Sequence, residues 1–118
     1  MIQITGLTQN AIQKFRINDP NGGGEIIMRL AYRPRVQRWF IDIEFGTFVL
    51  NGFKLTRGPN VLYKWSNIIP FGLTVNVADD FEPFVINDFS SERVKLFLLT
   101  TAEVEEVESL IVQGYTAP

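Results

Sequence analysis

Two adjacent runs of strict alternation constrain this chain more than any other feature. Over residues 25–32, Ile26, Met28, Leu30 and Tyr32 share one parity, and Glu25, Ile27, Arg29 and Ala31 share the other. Over residues 38–45, Trp39, Ile41, Ile43 and Phe45 alternate with Phe40, Asp42 and Glu44. Successive side chains of a strand point to opposite faces, so each run reads as a half-buried β-strand with one apolar face.

The same reading extends along the chain. Residues 11–18 form a strand with Phe15 and Ile17 on one face and Lys14 and Arg16 on the other. It ends in Asn18-Asp19-Pro20-Asn21-Gly22-Gly23-Gly24, where Asx side chains, a fixed φ and free glycine φ make a turn and close a first hairpin. Gly46 permits a bend into residues 47–50, and Asn51-Gly52, a favoured type I′ pair, is expected to join that run to Phe53-Lys54-Leu55 in a meander. Leu73, Val75 and Val77 alternate in a further strand, and residues 94–100 are largely apolar on both faces. Residues 2–7 suit a short edge strand, whereas 61–65 are too few to separate strand from helical turn.

The period changes at the end. Val104, Val107 and Ile111 fall on one helical face among Glu103, Glu105, Glu106 and Glu108, Thr100 and Glu103 form a capping box, and Gly114 offers a stop. A helix over about 102–113 is expected. No linker or repeat divides the 118 residues, so the chain is expected to be one mainly β domain spanning 1–118, an antiparallel barrel or sandwich of six to eight strands with that short helix. The 10 Phe, 2 Trp and 3 Tyr fit this class, because pleated surfaces pack wide side chains well.

The residue inventory narrows the chemistry. With no His and no Cys, the usual general base near neutral pH, the thiol nucleophile and the commonest transition-metal ligands are all missing, so no catalytic, cofactor-binding or metal residue is assigned. A carboxylate mechanism would have to use Asp42 and Glu44 on one strand face, or Asp79, Asp80, Glu82 and Asp88 in the loop 79–92. The loop acids lack the ligand spacing and glycine of an EF-hand. Acids alternating with apolar residues are ordinary on the wet side of a strand, and a long loop of this kind usually serves binding. No basic segment precedes an apolar one at the start and no apolar run approaches the ~20 residues that span a bilayer, so neither that export route nor a membrane is expected. A net charge of −2 disfavours phosphate backbones. Arg29, Arg33, Arg35 and Arg38 near Tyr32, Trp39 and Phe40 still leave open a small barrel-like module for single-stranded nucleic acid or a peptide, although no specific nucleic-acid binding is expected.

Read in order, Arg38-Trp39-Phe40-Ile41-Asp42-Ile43, Asn51-Gly52-Phe53-Lys54-Leu55, Gly58-Pro59-Asn60-Val61-Leu62 and Phe71-Gly72-Leu73-Thr74-Val75 make a pattern. With Pro83 and Asp88-Phe89 leading into Arg93-Val94-Lys95-Leu96-Phe97-Leu98, it resembles the baseplate plug family of contractile-tailed bacteriophages of the cyanophage type. The acidic helix is not part of that pattern. The resemblance implies a virion structural protein without catalytic residues, assembled in the host cytoplasm and seated in the inner baseplate between tail tube and central hub and spike. It implies other tail proteins as partners. Tail structures are cyclic, so three or six copies in a ring are expected. Candidate contact residues are the large apolar side chains Phe48, Phe53, Phe71, Phe81 and Phe84, with Ile2 and Ile4 at the edge and Val104, Val107 and Ile111 on the helix.

Overall fold

A computed structural model describes the backbone of residues 1–79 and 81–116 and the side chains of 1–79 and 81–109. The alternating runs become β2 (Ile12–Asn18), β3 (Glu25–Arg33), β4 (Arg38–Phe45) and β5 (Phe48–Lys54), an antiparallel meander in the order β2-β3-β4-β5. A second antiparallel sheet, β1-β7-β6, joins the two ends of the chain: β1 (Ile2–Ile4) pairs with β7 (Val94–Leu99), which pairs with β6 (Gly72–Val77). Ile26, Met28, Leu30, Trp39, Ile41 and Ile43 on the large sheet and Leu73, Val75, Leu96 and Leu98 on the small one form a single buried core. Seven strands in two sheets make a sandwich. Neither sheet closes into a barrel among the described residues, because the small sheet is only three strands wide and cannot curl around to meet the edge of the larger.

Two local expectations are corrected. Asn51-Gly52 is no hairpin turn. β5 runs straight through it, and the chain reverses instead at Gly46-Thr47, where Gly46 sits at φ +59° and Phe45 faces Phe48. Ile41 faces Phe53 and Ile43 faces Leu50, so Asp42 alone stands opposite both Asn51 and Gly52, which makes a β-bulge. The extra residue restores parity: after Phe48 and Leu50, strict alternation would turn Phe53 outward, whereas the bulge keeps it against the core. Keeping that aromatic side chain half-buried is worth roughly 1 kcal/mol. Gly52 is left-handed at φ +65°, and its N–H donates to Asp42 Oδ1 at 2.6 Å.

The second correction concerns the helix α1 (Thr101–Thr116), which runs past Gly114. Glycine lowers helix propensity by about 1 kcal/mol and does not by itself end a helix. The start matches expectation: Glu103 N–H donates to Thr100 Oγ1 at 3.2 Å and Thr100 N–H to Glu103 Oε1 at 3.0 Å, a closed capping box. The first turn docks on its own domain. Val104 is buried, and a Cβ added to Gly72 would lie 2.8 Å from Val104 Cγ2 and 2.8 Å from Asn60 Oδ1. The ambiguous run 61–65 holds a single 3₁₀ turn, Tyr63–Trp65.

The Asn18 to Gly24 turn also braces the two halves of the molecule. Asp19 is buried and accepts from Asn21 N–H at 3.1 Å and Gly23 N–H at 3.1 Å. Asn21 in turn donates to the Pro70 carbonyl at 2.8 Å and accepts from Thr101 N–H at 3.0 Å, satisfying one free donor of the helix start.

Candidate protein-contact surface

The loop after β6 carries five of the 13 acids, and one buried carboxylate organises it. Asp88 is completely buried. Its Oδ2 accepts from Phe84 N–H at 2.6 Å and Val85 N–H at 2.9 Å, and its Oδ1 accepts from Arg93 Nε at 2.8 Å. The Arg93 guanidinium also reaches Asp79 Oδ1 at 2.6 Å and the Glu82 carbonyl at 3.0 Å, and lies over the Phe84 ring at 4.8 Å. Its pKa is raised further, first by the hydrogen bond to Asp88, so it is a permanent cation. Burial of a charge is tolerated here because each carboxylate oxygen has a donor.

The opposite wall of the loop is tied to the large sheet. Tyr32 Oη donates to the Phe84 carbonyl at 2.8 Å and Trp39 Nε1 to the Val85 carbonyl at 2.9 Å. Trp39 packs edge-on against Phe89, centroids 4.9 Å apart. A segment that reads as hydrated loop is therefore fixed at both ends and in the middle. Among the polar residues it exposes, two large apolar side chains also face outward: Phe81 is 65% exposed and Ile86 42%. Large exposed side chains on a pinned backbone need less loop ordering when they are covered, which suits a surface that contacts another protein.

Four of the six carboxylates considered for catalysis serve the backbone and the arginines, while Glu44 is exposed on β4. Asp42 is engaged by Gly52 N–H and by Arg29 at 3.0 Å, Asp79 and Asp88 by Arg93, and Glu82 by Arg57 N–H at 2.5 Å. Asp80 lies outside the described residues. Among the described residues no three acids converge as a metal cluster. The basic cluster is likewise divided: Arg29 pairs with Asp42, Arg33 stacks on Phe40 at 4.2 Å, and Arg38 donates to the Gln37 carbonyl.

With this geometry in hand, comparison with known families is decisive: the model described as the cyanophage baseplate Pam3 plug gp18 matches residues 1–102. The chain belongs to this plug family. It is a structural protein of the phage virion baseplate, a setting in which it contacts other tail proteins. The match stops two residues into α1, so most of the acidic helix falls outside the family pattern. No curated protein matches the chain. No helix among the described residues is long and apolar enough to cross a membrane.

The structure sorts the candidate contact residues of this plug protein into three sets. Ile2 and Phe81 are exposed. Phe48, Phe53, Phe84 and Val107 are half-buried, the first two leaning on Trp65 with centroids 6.2 and 5.4 Å away. Ile4, Phe71 and Val104 are in the chain's own core, Phe71 without any exposure, so they have no free surface to give a partner. Each is covered by an element distant in sequence: Ile4 pairs with Leu96, Phe71 packs on Phe45, and Val104 lies over Gly72. The Ile111 side chain lies outside the described residues. Ile12, Val36, Val49, Tyr63, Ile68 and Ile86 are exposed apolar residues that patterning alone did not single out.

Proposed function

We propose that this chain joins the tail tube to the central hub and spike from within the baseplate, as three or six copies in a ring, through protein–protein contacts and without a reaction of its own. The observation that carries the reading is the loop pinned by Asp88 and Arg93, which leaves Phe81 and Ile86 exposed. A protein that acts by filling space between neighbours needs apolar projections more than a pocket, and Asp42, Asp79, Glu82 and Asp88 are committed to backbone N–H groups and arginines. Native mass spectrometry of the chain co-expressed with the products of adjacent reading frames tests the proposal. A complex with three- or sixfold stoichiometry is expected; a monomer that binds none of those products overturns it.

A further inference from the structure

The free strand edges of the sandwich are protected unequally. The outer edge of β6 is covered, because Gly58 and Val75 exchange both backbone hydrogen bonds at 3.0 Å and Val61 N–H reaches the Leu73 carbonyl at 2.9 Å. β5 is bulged, and β1 is three residues long, two recognised ways of blunting an edge. β2 has neither device. It runs seven residues in unbroken register with β3, from Ile12 facing Ala31 to Asn18 facing Glu25.

Which backbone groups of β2 are free follows from its two ends. Tyr32 N–H donates to the Ala11 carbonyl at 2.7 Å, and Asp19 N–H to the Gly24 carbonyl at 2.8 Å. Hydrogen-bonded pairs alternate in an antiparallel ladder, so the odd-numbered residues of β2 bond β3, and Ile12, Lys14 and Arg16 aim their N–H and C=O groups away from the sheet. They open onto a groove of about 480 Å³ that separates β2 from β1 and is closed at one end by the 5–10 loop, which Gln13 pins through Thr8 at 2.7 and 2.8 Å. Phe15 and Ile17 lie along it only half-buried.

We propose that this groove accepts an extended strand from a partner protein, added to β2, whose outward residues are acidic and whose inward residues are apolar. Charge decides the occupant. Lys14 is exposed and has no ion pair among the described residues, and it faces Arg29 across the β2–β3 pair. A second copy of β2 paired antiparallel about Lys14 would set two lysines opposite each other, which is unfavourable, whereas a glutamate or aspartate there is attracted. Apolar residues of the incoming strand would complete the burial of Phe15 and Ile17. This holds independently of where in the virion the chain sits.

The test uses the full chain and the peptide acetyl-(Val-Glu)₄-amide, followed by amide NMR at low salt. The amides of Ile12, Lys14 and Arg16 are expected to shift saturably and to slow in solvent exchange, while those of Gln13, Phe15 and Ile17 keep the protection they already have. The matching (Val-Lys)₄ peptide is expected to bind at least about tenfold more weakly. Lys14→Pro removes an outward N–H without touching the β3 ladder and is expected to abolish binding, and Lys14→Gln to weaken it about threefold. If Lys14→Pro does not fold, Ile12→Pro asks the same question nearer the strand end. Shifts on the odd-numbered amides or on none, equal affinity for both peptides, or full binding by a folded proline variant overturns the proposal.

Discussion

Removing the Asp88 carboxylate tests how the exposed loop is held. In Asp88→Ala, Phe84 N–H and Val85 N–H lose their acceptor and Arg93 loses its Nε partner. Leaving one member of a buried ion pair behind costs about 3–5 kcal/mol. Arg93 keeps Asp79 and the Glu82 carbonyl and is 17% exposed, which places the expected loss near the lower end, about 3 kcal/mol. With a urea m-value of about 2 kcal/mol/M, the unfolding midpoint should fall by roughly 1.5 M. Asp88→Asn is the informative companion. Its amide oxygen can still accept from the two backbone N–H groups, but its NH₂ opposes Arg93, so only the charge-assisted part is lost, about 2 kcal/mol. Equilibrium urea unfolding followed by tryptophan fluorescence reads both. A midpoint shift below about 0.5 M for Asp88→Ala, or identical shifts for the two variants, would refute the view that one carboxylate organises the loop.

Other residues make separate predictions. Phe81→Ser should leave stability within about 0.5 kcal/mol, since the side chain is 65% exposed, yet abolish co-purification with baseplate partners in a pull-down. Gly72→Ala should cost about 1–3 kcal/mol by driving Val104 and Asn60 apart, and adding Val104→Ala should recover part of it, which a double-mutant cycle by thermal melting would detect as coupling. Gly52→Ala should cost roughly 1–2 kcal/mol from its φ of +65°, with ample room for the methyl group, and calorimetry would show it. The Glu103 pKa is lowered, first by the hydrogen bond from the terminal ammonium and then by Thr100 N–H. A depressed carboxylate contributes stability above its unfolded value of ~4.3 and loses it as pH falls through the folded value, so the stability gap between wild type and Glu103→Gln should narrow below that pH in a series of urea titrations.

How much was legible in the sequence depended on whether a residue's role was local. The alternation at Ile26, Met28, Leu30 and at Trp39, Ile41, Ile43 names the core face directly, and the Thr100–Glu103 capping box is a four-residue signal. Asn51-Gly52 misled because the same dipeptide serves a tight turn and a bulge, both of which need a left-handed residue. The inward parity of Phe53 was the available clue. Asp88 and Asp19 resisted reading for a different reason. Their partners are N–H groups on turning backbone, and nothing in a string of letters shows that an acid faces inward. Ile4, Phe71 and Val104 were likewise invisible as core, since each is buried by an element distant in sequence. The contact surface was legible in kind, as excess large apolar residues with a purposeful loop, and only partly in its members.

The way the small sheet is stitched has a consequence for synthesis on the ribosome. The meander from β2 to β5 is contiguous and can form as soon as Lys54 emerges, but the strands that cover its apolar face are completed only at Leu99, 45 residues later. At ordinary translation speeds that interval is roughly 2–9 s. Throughout it Trp39, Ile41 and Ile43 have no opposite layer, while β1, made first, waits for β7 because Ile2 must find Leu98. The nascent plug protein is therefore a half-built sandwich for seconds, a window in which a chaperone that shields a bare sheet would raise yield and slower codons between residues 55 and 99 would lower it.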